Sequence, residues 1–105
     1  MQIADYISEN ILEEKLKGGD RIPSVREMAA QVEVNPNTVA RTYTYLQGKD
    51  IIFNKRGVGY FIAEDALQKM KAIKKDAFLQ QHLPDFIKMM KLLNLSWDDV
   101  QNLQP

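Results

Sequence analysis

Two helix-start signals stand eleven residues apart in this chain, and they limit its fold more than any other feature. The first is Ser24-Val25-Arg26-Glu27, where the serine hydroxyl can accept from the third amide while Glu27 reaches back to the serine amide. The second is Asn35-Pro36, a capping side chain followed by proline at the first helical position, where its missing N–H has no intrahelical acceptor to lose. The helix between them must be short, and the next begins after a tight connection.

The flanking apolar spacings complete the pattern. Met28, Ala29 and Val32 follow the first signal, and Val39, Tyr43 and Leu46 follow the second, predicting a third helix that ends near Gly48. Upstream, Ile3, Ile7 and Ile11, continued by Leu12 and Leu16, predict a first helix over residues 2–17, closed by Gly18-Gly19-Asp20. Downstream, Ile51-Ile52-Phe53 and Tyr60-Phe61-Ile62 predict two strands joined across Asn54 to Gly59. Three helices followed by a two-stranded ribbon make a winged helix-turn-helix, whose third helix can enter a DNA major groove.

The chain changes character near Glu64, which divides it into a DNA-binding domain over residues 1–63 and a helical tail over residues 64–105. Leu67, Met70, Ile73 and Phe78 lie among lysines on one amphipathic segment. Pro84 breaks or restarts it, Phe86, Ile87, Met90 and Leu93 form another series, and Ser96 can cap a last short helix beside Trp97. These apolar residues and Trp97 are the candidate dimerisation positions, with packing inside their own chain as the alternative for each. The expected fold class is therefore mainly α with a small β-wing: a winged helix-turn-helix followed by a short helical dimerisation tail.

Composition narrows the chemistry. With 105 residues the chain has little room for a deep enclosed active site. Zero Cys and one His argue against disulfides, thiolate zinc and His-rich clusters, so no metal or cofactor is expected. His82 lacks the partners of a nucleophilic triad, and Asp98-Asp99 reads as helix-terminal charge, so an enzyme is not expected. Residues 1–6 lack a signal-peptide layout and no apolar run approaches a membrane span, which points to the cytoplasm without membrane insertion. Total charge is zero, but residues 34–60 carry Arg41, Lys49, Lys55 and Arg56 against Asp50 alone, a local +3 suited to a focused grip on DNA.

The run Gly19-Asp20-Arg21-Ile22-Pro23-Ser24-Val25-Arg26-Glu27-Met28-Ala29, then Val34-Asn35-Pro36-Asn37-Thr38-Val39, then Gly57-Val58-Gly59-Tyr60-Phe61, resembles the DNA-binding domain of the GntR family of bacterial transcription regulators. With roughly 40 residues after the wing, the chain is similar to the YtrA-type subfamily, whose small helical tail resembles a dimerisation device. The resemblance implies a homodimer on double-stranded DNA at a palindromic promoter site, with a repressor as the expected sense of regulation. The family commonly has basic residues where this chain has Pro36 and Ala40, so its operator is not transferable from the family.

By that resemblance Arg26 is a DNA-contact position; a salt bridge pinning the second helix is the alternative. Asn35, Asn37 and Thr38 occupy the start of the recognition helix, where they can meet bases or phosphate, or simply cap it. Arg41 is long enough for a guanine edge or a phosphate, and its helical face stays open. Arg56, with Lys55, Gly57 and Gly59, fits a wing tip entering a minor groove or binding phosphate, although any hairpin needs such glycines. Tyr43 is expected in the core rather than on a stacking platform. A small-molecule effector is left open, and a winged-helix module for protein partners is the alternative function.

Overall fold

The computed structural model describes residues 3–103, so the expected helix start at Gln2 and the chain's outermost residues lie outside the described residues. Its elements are α1 (Ile3–Leu12), β1 (Arg21–Ile22), α2 (Val25–Val32), α3 (Pro36–Gly48), β2 (Ile52–Lys55), β3 (Gly59–Ile62), α4 (Ala66–Ala77), a π turn (Phe78–His82), α5 (Leu83–Leu92) and α6 (Trp97–Gln101). This is the expected mainly α fold, a winged helix-turn-helix with a short helical tail. The chain divides into two compact units, Met1–Ala72 and Ile73–Pro105.

In the first unit the apolar stripes meet as their spacing requires. Ile7 and Ile11 of α1, Val39, Tyr43 and Leu46 of α3, and Ile22, Ile51, Ile52 and Ile62 around the sheet are essentially excluded from solvent. Both start signals act as read: Ser24 accepts from the Glu27 amide while Glu27 accepts from the Ser24 amide, and Asn35 caps α3 ahead of Pro36.

The sheet has three strands rather than the expected two, in the antiparallel order β1-β3-β2. Arg21 pairs with Phe61 and Ile22 with Tyr60, an edge strand too short to leave a period-two signature in the sequence. This pairing also revises the end of α1. The helix stops at Leu12 instead of running to residue 17, and Gly18-Gly19 forms the approach to the strand. The Gly19 amide donates to the Ile62 carbonyl at 2.7 Å, and a Cβ on Gly18 would lie 2.7 Å from the Glu64 Cα.

What ends α1 is a left-handed residue that is not glycine. Glu14 has φ +60°, the Lys15 amide donates to the Asn10 carbonyl at 2.8 Å, and the Glu14 amide donates to the Ile11 carbonyl at 3.0 Å. The same six-to-one closure recurs after α2, α3 and α5, around Glu33, Asp50 and Asn94. There the amides of Val34, Ile51 and Leu95 donate to the carbonyls of Ala29, Leu46 and Met90 respectively. α3 ends at Gly48, as expected, although the left-handed turn that follows is taken by Asp50 rather than by the glycine.

In the second unit Pro84 restarts the helix rather than breaking it. The Leu83 amide reaches back to the Phe78 carbonyl in a wider π turn, and Pro84 falls in the first turn of α5, where it is well tolerated. Ser96 and Asp99 form a reciprocal capping box at α6, as expected of Ser96. Among the described residues, no helix is long and apolar enough to cross a membrane.

A side chain other than glycine costs roughly 1 kcal/mol in the left-handed region. Glu33→Gly, at an exposed cap without a side-chain partner among the described residues, is therefore expected to raise stability by up to about 1 kcal/mol. Thermal and urea denaturation check this; a lower midpoint would contradict the assignment of strain to that cap.

Candidate nucleic-acid interface

The recognition helix is oriented by the residues it buries. Val39, Tyr43 and Leu46 face the core, and steps of 100° around the helix put Asn37, Arg41 and Thr44 on the opposite side, all three exposed. Arg41's helical face, open in the sequence, is thereby fixed outward. Thr44 was not singled out by its sequence context; its hydroxyl donates to the Ala40 carbonyl at 2.9 Å, which commits the hydroxyl to the helix.

The first turn of α3 divides its polar side chains between structure and surface. Asn35 Oδ1 accepts from the Asn37 amide at 2.8 Å, so this side chain is engaged as a cap. Asn37 and Thr38 are exposed and make no side-chain hydrogen bond among the described residues. Ala40 is half-buried and lies toward the protein rather than at the centre of the outward stripe.

Arg26 is exposed near the start of α2, and no carboxylate among the described residues lies within ion-pair distance of it. The salt-bridge alternative thus has no partner there. Its neighbour Glu27 is held below the usual carboxylate pKa range, chiefly by hydrogen bonds from the Ser24 backbone and hydroxyl, with a smaller contribution from the Arg21 charge.

Tyr43 joins these elements. Its hydroxyl donates to the Pro23 carbonyl at 2.6 Å, and its ring meets Tyr60 edge-on with centroids 4.8 Å apart. Burial pushes the phenol pKa well above its ordinary value. The ring is a core group, as expected, and it connects α3 both to the entry of α2 and to the wing.

The wing turn spans Lys55 to Val58, closed by the Val58 amide on the Lys55 carbonyl at 2.8 Å. Gly57 takes φ +80° at its third position, the conformation of a type II turn, and Arg56 stands exposed beside it. Lys55 is less free than its sequence position suggests: its ammonium lies 5.0 Å from the centre of the Phe61 ring, which stacks on Phe53 across the strands. Gly59 abuts the side chain of Arg21, a basic residue whose sequence context gives it no distinct role.

The apolar tail positions fall into distinct environments. Met70 is buried in the first unit and Met90 in the second, while Leu67 and Ile73 are half-buried. Phe78, Phe86, Ile87, Leu93 and Trp97 are exposed, with the Phe86 and Trp97 rings 6.2 Å apart. A cleft of about 390 Å³ opens beside Trp97, Ile87 and Leu95.

Residues 1–62 match the sequence family described as bacterial regulatory proteins, gntR family. The Bacillus subtilis protein described as the uncharacterized HTH-type transcriptional regulator YhcF is 42% identical over 100 residues, covering 95% of this chain and 81% of its own. The HTH-type transcriptional repressor YtrA of the same organism is 43% identical over 65 residues, covering 62% of this chain and 50% of its own. The solved structure of a GntR family transcriptional regulator from Listeria monocytogenes aligns with a TM-score of 0.79 and 33% identity, covering 96% of this chain and 87% of that one.

Gly57→Ala places a Cβ where φ is +80°, and should cost about 1 kcal/mol while leaving the helices folded. Amide hydrogen exchange should quicken at Val58, whose amide closes the turn, before it quickens in α3; unchanged protection there would refute this account of the wing.

Proposed function

The chain belongs to the GntR family of bacterial regulatory proteins, and on that premise we propose that it is a cytoplasmic, homodimeric repressor of the YtrA type, occupying a palindromic promoter site. The broader role is that of a winged helix-turn-helix, DNA-binding transcription regulator. One observation supports the DNA-reading part of this proposal: Asn37 and Arg41 stand outward on the recognition helix, unpaired among the described residues, in the same compact unit as the exposed Arg26 and Arg56.

In this reading α3 lies in the major groove. Asn37 and Arg41 meet base edges, Arg26 and Thr38 meet phosphate, and Arg56 reaches the adjacent minor groove. Asn35 acts through its cap, by fixing the first turn of α3. Gly57 shapes the wing turn that carries Arg56.

The tail supplies the second copy. Among the described residues, ten of the fourteen exposed large hydrophobic side chains lie between Phe78 and Leu103, a surface suited to an isologous partner. We assign the apolar clefts around Ile87 to that partner rather than to a small-molecule effector. Two reading heads on one two-fold axis then engage half-sites about one helical turn apart. Repression is the sense favoured by the likeness to the repressor YtrA, whose match lies over 65 residues.

A genomic footprint, followed by titration of the strongest site, tests the reading. Arg41→Ala should weaken that site tenfold or more, consistent with loss of ~1–3 kcal/mol from one bidentate base contact, while random duplex binding changes little. Equal losses on both duplexes would reassign Arg41 to phosphate, and no protected sequence under low salt would favour a protein-docking module instead.

Sedimentation tests the assembly. The wild type is expected to dimerise, and an Ile87→Glu/Leu93→Glu variant to sediment as a folded monomer. A wild-type monomer whose mass does not change with concentration would remove the homodimer from the proposal.

A further inference from the structure

Arg21 lies on β1, the short strand that the sequence pattern did not reveal. Its partner in register is Phe61, so its side chain leaves the sheet on the face that also carries Phe53 and Lys55. From there it runs diagonally toward the wing turn. The Arg21 Nε donates to the Val58 carbonyl at 3.4 Å, a long and exposed hydrogen bond.

Gly59 makes room for this course. A Cβ at that position would lie 3.0 Å from Arg21 Nε and 3.4 Å from one terminal nitrogen, so a larger residue would push the guanidinium aside. On its other flank Arg21 acts electrostatically on Glu27, the neighbour of Arg26 in the first turn of α2. The guanidinium thus lies against the wing turn that carries Arg56, and its charge is felt at Glu27, beside Arg26.

Among the described residues, Nε is the only part of this guanidinium that makes a hydrogen bond, so the donors on its two terminal nitrogens are uncommitted. A planar fork held through Nε, with its other edge open, matches the geometry of a phosphate oxygen pair. We propose that Arg21 is a further phosphate-binding residue, gripping the DNA backbone beside the Arg56 contact. This rests on the DNA-binding reading above, and gives Gly59 the role of cradling the guanidinium rather than touching DNA itself.

The test is salt-dependent titration of the full chain on its strongest site and on random duplex. Arg21→Ala should weaken both by about threefold or more near physiological salt, and lower the slope of log affinity against log salt by about 1 per bound copy, about 2 for the homodimer. Arg21→Lys should restore the slope, because the charge is kept. Arg21→Gln, closer to arginine in shape, should behave as the alanine variant does and guards against a misfolded one; circular dichroism verifies that each is folded.

An unchanged slope with weakened binding would mean that Arg21 only braces the wing, and would overturn the phosphate assignment. A loss confined to the specific site would make it a base reader, and also overturn it. If Arg21 variants match a wild type that binds duplex DNA, this proposal alone fails. If the wild type binds no duplex, the DNA-binding reading fails as well.

Discussion

The buried Tyr43 phenol is the constraint on which the outward-facing chemistry depends. Its hydrogen bond to Pro23 fixes the recognition helix to the entry of α2, and its edge contact with Tyr60 fixes the same helix to the wing. A net contribution of about 1 kcal/mol is ordinary for such a part-buried bond. One residue therefore sets both distances that a DNA-reading surface needs: from helix to helix, and from helix to wing.

With Tyr43 turned inward, the face of α3 follows from helical geometry. Val39 and Leu46 bury beside it, and Asn37, Arg41 and Thr44 come outward without any further device. The wing is held differently. Its inner face contributes Ile52, Tyr60 and Ile62 to the unit, while its outer face carries the stacked Phe53–Phe61 pair with Lys55 over the ring and Arg21 alongside. A cation drawn onto an aromatic ring is less available to phosphate than Arg56, whose side chain has no such partner among the described residues. Adjacent basic residues in sequence thus have unequal claims on DNA.

The helix starts were legible because each uses a side chain that announces itself, Ser24 with Glu27, Asn35 with Pro36, and Ser96. The helix ends were less so: α3 stops at Gly48 as read, but the turns after α1, α2, α3 and α5 pass through Glu14, Glu33, Asp50 and Asn94 rather than through glycine. Residues with a side chain give no glycine signal at such a turn, so the glycine rule misplaces the end of α1 and draws Gly18 and Gly19 into the wrong role. β1 escaped for a related reason: two residues have no period, and only β3 beside them makes them a strand. The same omission hid Arg21. The candidate residues of α3 and the wing stand out in the sequence by type and position, and Asn35 as a cap, whereas Arg41's outward face and the seat of Lys55 over the Phe61 ring follow only from tertiary packing.

Overall neutrality also has a spatial meaning. Residues 1–33 carry a net −3, residues 34–60 a net +3, and residues 64–105 balance, so positive charge is concentrated on the segment holding α3 and the wing. A focused +3 attracts polyanions less indiscriminately than a wholly basic coat, but it also limits the affinity of one copy at physiological salt. Arg21 and Arg26 add to that field from within the net-acidic segment, which is why a count by segment understates the charge available at the groove. In the proposed homodimer two such heads on one axis would multiply their half-site preferences without further charge, with the apolar tail as the compact means of joining them.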